Sequence, residues 1–470
     1  MKRLLIFFAL FLLLVGCNIQ EDNTNSNTGN TNGNDTSNSE NSSNTNDEGS
    51  EEEQLEGEIS LMMFEGGFGS DWVKRSAAEF EEMHPEVTVN ITASPDIHTQ
   101  LQTRFISGDV PDIMNPGAKV DIQGLVNQGE ILALDDYLEE PSFDDESVSW
   151  RDSFIPAQFK LQKDGQTYGI PTIFGAGYLW WYNAKVFDDN GWELPQTWDD
   201  VEELKEKAAE KDMALFALQG KYPGYYFYGY YLPLVQKIGG TDALLNAFNL
   251  EEGAWEAEPF LKAAEITANL REKDFLLDGT LSLSHTDSQT QFFLGNSVFV
   301  SAGTWLEGEM QDVIPEDFKL RAMNQPGWEG QSEEENNAAP ITSGWGGAFY
   351  IPSKAKNPDL AAEFLKYLTA KESIYKMMER GLASTVKGTE DAIQSEALAS
   401  SLEVIKNADS KTYLPTSIND SYPELANNLL NKLQGVLTGD VTPEEFVQYA
   451  EEKATEVRED SSIEKVEFNW

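Results

Sequence analysis

The stretch Tyr168 to Phe187, YGIPTIFGAGYLWWYNAKVF, decides how the chain is to be read. It opens with Gly169 and Pro171 in an extended, turn-punctuated run and sets Phe174, Tyr178, Trp180, Trp181 and Tyr182 within nine positions. It then passes into the helix-prone AKVFDDNGW. Such a run suits a strand crossing between two lobes. Its aromatics have two readings, an ordinary buried strand or rings that also face a cleft, and the rest of the chain bears on the choice.

Upstream, Lys2 and Arg3 precede the apolar run Leu4 to Val15, too short to span a bilayer comfortably, and Gly16-Cys17 follows at once. This is an export signal. Cys17 is the only cysteine in 470 residues, so neither a disulfide framework nor a thiolate metal site is available. Residues 18 to 56 are Asn, Thr, Ser and Gly with ten acidic residues and no Lys or Arg. The tract has almost nothing to bury and reads as a disordered tether with a root-mean-square reach of roughly 35 Å. A formal charge of −48 argues against nucleic acid and against docking on anionic lipid. Any membrane association is expected only through a lipid anchor.

From about Gly57 the composition becomes globular, and the remaining length exceeds what one core usually holds, so two lobes are expected. Ile59, Leu61 and Met63 alternate as in a strand; the loop Glu65-Gly-Gly-Phe68-Gly69 follows, then a helix from Asp71 to Met83 stopped by His84-Pro85. Val87, Val89 and Ile91 alternate as a second strand, Ser94-Pro95 opens a helix carrying Leu101 and Phe105, and Pro111 to Met114 reads as a short buried strand. Repeated β-α-β predicts a largely parallel sheet with binding loops at the carboxyl ends of its strands. The Gly-rich loop lacks the Lys and Ser/Thr of a phosphate cradle.

Five segments then carry a resemblance: Ser107 to Ile113 (SGDVPDI), Gln128 to Asp135 (QGEILALD), Tyr168 to Pro171 with Trp181-Tyr-Asn183, and Pro195 to Asp199 (PQTWD). In this order and spacing they resemble the family 1 extracellular solute-binding proteins of ABC importers, from about residue 57 to about 460. The resemblance implies an α/β, two-lobed periplasmic-binding-protein-like (type II) fold with a hinge and an interlobe ligand cleft. It implies lobe I at 57–179 and 323–385 and lobe II at 180–322 and 386–470, behind a signal peptide at 1–16 and a tether at 17–56. Leu14-Val-Gly-Cys17 resembles the lipobox of bacterial lipoproteins, which implies acylation of Cys17 on the extracellular face of the membrane. The first crossover between lobes would fall near Leu179 to Asn183.

Further along, Thr197 with Asp200 forms a capping-box pattern before Val201, Leu204 and Ala208. Tyr222 to Tyr231 holds six Tyr and one Phe broken by Pro and Gly, a poor helix and a poor strand, and is expected to be a cleft-lining loop. Core packing is the ordinary fate of any one of these rings. Sugar rings stack C–H faces on aromatics and need fixed polar partners for their hydroxyls, so a saccharide site needs both residue types. The segment Val298 to Met310 resembles the family's strand ending in Gly-x-Trp, which presents Trp305 to the ligand. With His285, Gln289 and Glu307, and with Trp255 in EGAW, it is similar to the branch taking up N-acetylglucosamine or N,N'-diacetylchitobiose. His285 remains open between a satisfied core residue and a ligand contact, and Trp345 between a surface Trp and a second stacking platform.

The expected site is therefore Trp180, Trp181, Tyr225, Tyr226, Tyr228, Trp255, His285, Trp305 and Glu307 from one side, with Tyr422 at the edge. Glu65, Phe68, Asn115, Lys119 and Trp345 face them from the other. The expected partners are a mono- or oligosaccharide and the permease subunits, with the binding protein a monomer. A sensor role coupled to a membrane histidine kinase stays open. A glycosidase has less support, because 81 acidic residues will always place some pair close by chance. There is no G-x-S-x-G, no H-E-x-x-H and no Walker motif, and His84, His98 and His285 are too scattered for a zinc site, so neither cofactor nor metal is expected.

Overall fold

The computed structural model describes residues 55–117, 120–155, 159, 162–163, 165–174, 178–328, 330–331, 347–407 and 417–468. The expected signal, Cys17 and most of the expected tether lie outside the described residues, as do Lys119 and Trp345.

Alternation makes the first sheet. In β1 (Gly57–Phe64) Ile59, Leu61 and Met63 point into the core, and the strand pairs in parallel with β2 (Val87–Ser94) and β3 (Ile113–Asn115), in the order β2-β1-β3. The helix Asp71–Met83 covers it with Trp72, Val73, Ala77 and Phe80, and ends where His84 leaves helical geometry before Pro85. The helix Pro358–Leu368 adds Leu360, Phe364, Leu365 and Leu368 to the same core. Asn357 stands at the N-cap position of that helix, but its side chain does not cap: it donates to the Glu58 carbonyl at 2.7 Å. Asp112 ties the two chain segments together, accepting from the Ser60 amide and hydroxyl and from the amides of Lys356 and Asn357. Burial works to raise its carboxyl, and those hydrogen bonds together hold it below the ordinary value.

The second sheet is mixed rather than parallel. β4 (Leu179–Asn183) lies between β6 (Ser297–Ala302) and β7 (Leu320–Met323), antiparallel to both, and β5 (Ala214–Ala217) runs parallel to β6 at the edge. β6 is buried along its whole length. Trp180 is the hub of the core beneath it, with ring centroids 4.8 Å from Phe216, 5.3 Å from Phe299, and 5.6 Å from both Trp198 and Tyr230. The helix Trp198–Ala209 opens with the Thr197 and Asp200 capping box that its sequence predicts. Helices Pro423–Thr438 and Pro443–Glu459 complete this core, the second behind a Thr442 and Glu445 capping box. Tyr422 is buried in it and accepts from the Val466 amide at 2.8 Å, so it does not edge a cleft.

The stretch Tyr168 to Phe187 links the two cores. Ile170–Pro171 pairs with Ala348–Phe349, and Ile173–Phe174 pairs with Ala383–Ser384; Ile170 and Ile173 belong to the first core. Trp180 belongs to the second. Between them Tyr178 adopts φ 67°, a left-handed conformation that costs a residue other than Gly about 1 kcal/mol or more.

Tyr222 to Tyr231 is helical, contrary to the loop expected of it. Pro223–Tyr226 forms one turn with Pro at its start, Phe227–Tyr231 a π-helical turn, and the chain continues into the helix Leu232–Phe248. Tertiary packing overrides weak helix propensity here, because Tyr226, Phe227, Tyr230 and Tyr231 are fully buried and each added contact offsets ordering entropy.

Candidate functional site

Three segments converge where the carboxyl end of β1 meets the loops around the second sheet: the loop Glu65–Gly69, the residue Tyr178, and the run Gly303–Met310 after β6. The turn carrying Tyr225 and Tyr228 and the helix His285–Phe293 close the ring.

Trp305 is at the centre. Its ring lies 6.0 Å edge-on from Phe68 and 6.5 Å edge-on from Tyr178, so it touches a residue of the first-core loop and one of the crossover together. Gly303 makes this possible, since a Cβ there would come within 2.0 Å of the folded-back indole. Tyr178 in turn stacks on Tyr228 at 6.2 Å and meets Tyr225 edge-on at 5.8 Å. Its backbone strain serves this placement, and Gly229 leaves the room: a Cβ at that position would lie 3.1 Å from the Tyr178 ring and 2.6 Å from the Ser301 hydroxyl. Burial raises the Tyr225 hydroxyl well above its ordinary value, with the Glu309 charge acting in the same direction and a hydrogen bond from Trp305 opposing it.

The polar members are set by backbone spacing. Ser284 and Asp287 form a capping box that starts the helix His285–Phe293 and orients His285, whose ring lies parallel to Tyr225 at 6.1 Å and edge-on to Tyr222 at 5.4 Å. His285 Nε2 stands 3.4 Å from Glu309 Oε1. Glu309 is one turn beyond Trp305, its amide donating to the Trp305 carbonyl at 2.9 Å, so the two share a face. Glu307 does not: Ser395 donates to it, and its carboxylate lies against Gly381. Burial raises the Glu307 carboxyl, while Ser395 and the Arg321 charge act to lower it. Glu65 takes the Ser70 hydroxyl on both oxygens, at 2.8 and 2.7 Å.

Thus Phe68, Tyr225, Tyr228, His285 and Trp305 are brought together, while Glu65 stands on the loop of Phe68 with its carboxylate held by Ser70. Asn115 lies nearby at the end of β3, lining a small hollow with Phe64, Phe68 and Thr172, and its amide donates to the Ala348 carbonyl at 3.0 Å. The structure takes Trp180, Trp181, Tyr226 and Trp255 elsewhere, and each is fully buried in core. Trp181 donates to the Ala302 carbonyl at 2.9 Å, and Trp255 stacks on Phe248 and meets Phe260 at a tilt while its amide donates to Glu451. Tyr178 and Glu309 are the members that sequence reasoning passed over. The glycines before Tyr178 and the four-residue spacing of Glu309 from Trp305 are the signals that mark them.

Flat rings at varied angles beside carboxylates make a surface able to stack sugar C–H faces and accept hydroxyl protons. The chain matches the family model for bacterial extracellular solute-binding protein over residues 69–374. It is 24% identical over 428 residues to the diacetylchitobiose binding protein NgcE of Streptomyces coelicolor, covering 87% of each chain. With the multiple sugar-binding protein of Streptococcus mutans it shares 25% identity over 328 residues, 68% of this chain and 73% of that one. A solved chitin oligosaccharide binding protein aligns with a TM-score of 0.69 at 20% identity, over 85% of this chain and 98% of that one. This last likeness shows the two-lobed periplasmic-binding-protein fold.

Proposed function

The chain belongs to the bacterial extracellular solute-binding proteins, a family of binding proteins and not of enzymes, which serves ABC import of sugars. On that premise we propose that it captures an amino sugar or short chito-oligosaccharide and delivers it to a permease in the membrane, tethered through an acylated Cys17. The observation that carries the reading is Trp305 seated between Phe68 and Tyr178, with Tyr225, Tyr228, His285 and Glu309 around it. The likeness to the diacetylchitobiose binding protein across nearly the whole chain supports the choice of sugar.

In this reading the lobes divide near residues 179, 323 and 385. The hinge runs through β4 and β7, whose register sets Arg321 beside Tyr182 and Met323 beside Trp180, so two crossings bend together. The sugar favours the closed form because only there does it touch both lobes.

A thermal-shift panel of N-acetylglucosamine, N,N'-diacetylchitobiose, chitotriose, maltose, cellobiose and xylobiose tests it. A ligand at about 100 times its Kd stabilises the native state by about 2.7 kcal/mol. A rise in midpoint confined to the amino sugars supports the reading. A rise with another saccharide replaces the substrate, and no rise with any of them overturns this site as a saccharide cleft.

A further inference from the structure

The aromatic wall explains why a sugar would bind, and it is silent on which amino sugar. Glu309 speaks to that. Its carboxylate lies among His285, Tyr225 and Trp305, and across from it a Cβ on Gly67 would stand only 3.4 Å away, so it faces the loop of the first core from within the ring of aromatics. Glu309 Oε1 has His285 at 3.4 Å, whereas Oε2 is buried and has no hydrogen-bond partner among the described residues. The other carboxylates of the region are engaged, Glu65 by Ser70 and Glu307 by Ser395. No arginine pairs with Glu309 among the described residues: Arg380 packs on Gly69 of the first-core loop and reaches Asp71 at 3.9 Å, and Arg321 pairs with Glu396. A second polar atom beside the wall has no hydrogen-bond partner among the described residues, the hydroxyl of Ser301, fully buried next to Tyr178.

We propose that Glu309 makes this cleft selective for saccharides bearing a free, protonated amine, such as glucosamine oligomers, over their N-acetylated counterparts. The proposal rests on the amino-sugar reading above. The buried, unpartnered oxygen of Glu309 is matched by a proton donor on the ligand. Every sugar offers hydroxyls and an acetamide offers one N–H, but an ammonium offers three donors together with a positive charge beside the carboxyl group. Acetylation removes that charge and adds a methyl group at the same atom. The formal charge of −48 works in the same direction at long range, drawing cationic oligosaccharides toward the protein.

The test is calorimetric titration of the full chain with two probes, the glucosamine disaccharide with both amines free and N,N'-diacetylchitobiose, at about pH 6, where the amine is charged. The expected result is a preference of about tenfold or more for the free amine, the weight of one charge-assisted hydrogen bond, shrinking as salt rises from about 50 to about 500 mM. Glu309→Gln, close in shape, is expected to weaken the free-amine sugar by about tenfold and the acetylated one by less than about threefold. Equal or better binding of the acetylated sugar by the wild type overturns the proposal without any variant, as does an equal loss of both sugars in Glu309→Gln. Binding of neither probe, with binding of a neutral saccharide, overturns the amino-sugar reading and this proposal with it.

Discussion

Two aromatic clusters draw in part on neighbouring positions, Tyr178 beside Trp180 and Tyr225 close to Tyr230, and differ in what they can do. Around Trp180, the rings of Trp198, Phe216, Tyr230 and Phe299 close on all sides and leave no face exposed. Around Trp305, the rings of Phe68, Tyr178 and Tyr225 are only partly buried, reach across from both cores, and have carboxylates beside them. Residue type is the same in both. What separates them is the neighbourhood: the first set lies on strands and helices of one core, the second on a loop, a crossover residue and short helical turns where chain segments from two cores meet. An aromatic ring becomes a candidate ligand surface when its partners do not enclose it.

The difference can be pressed hardest with Trp180→Ala. It empties the hub of the second core and is expected to destabilise the protein by about 3–5 kcal/mol in chemical denaturation. A loss below about 1 kcal/mol would mean that this cluster is not the core it resembles. Next is Gly308→Ala, whose Cβ would stand 2.3 Å from the Arg380 carbonyl oxygen. The clash is expected to destabilise the folded protein by about 1–3 kcal/mol, read as a lower melting midpoint without sugar. An unchanged midpoint would show that the backbone at Arg380 yields without cost. Tyr225→Phe removes one hydroxyl from the wall and with it the acceptor of the Trp305 hydrogen bond, and a loss of about 1 kcal/mol in binding is expected, with at most a similar loss of stability. If affinity did not move, that hydroxyl meets no ligand.

The smallest effect is one of pH. Burial raises the Glu307 carboxyl above its ordinary 4.5, favouring the neutral acid in the folded protein. Its share of stability is therefore full below that value and is lost as pH rises through the folded value. Glu307→Gln cannot ionise, and it is expected to lessen the fall in melting midpoint between about pH 4 and pH 7. An identical profile would mean that Ser395 and Arg321 already compensate for the burial.

Much of the fold was legible in local pattern. The helix Asp71–Met83 begins and ends where its periodicity and the His84-Pro85 stop require, and the Thr197 cap forms as its spacing predicts, because caps and turns are local chemistry. The mixed second sheet was not legible, since β4 pairs with strands more than 100 residues away, and nothing in LWWYN states its partners. Tyr222 to Tyr231 misleads for a related reason: Pro and Gly signal a loop, yet the rings bury so much surface that the helix forms around a π turn. The site was half legible. Trp305 stands out by its Gly-x-Trp context, while choosing Glu307 over Glu309 overlooks that the chain turns helical after the Trp, which sets the fourth residue on beside it and the second away.

The central claim is that the wall around Trp305 is where a saccharide stacks. The most direct test is calorimetric titration of wild type and Trp305→Ala with N,N'-diacetylchitobiose, alongside their melting midpoints without sugar. The expected result is saturable binding by the wild type and a loss of about 100-fold in Trp305→Ala, the size of effect a hot-spot aromatic gives, with the midpoint lowered less than in Trp180→Ala. Equal affinity in the two proteins would contradict the account and move the site away from this wall.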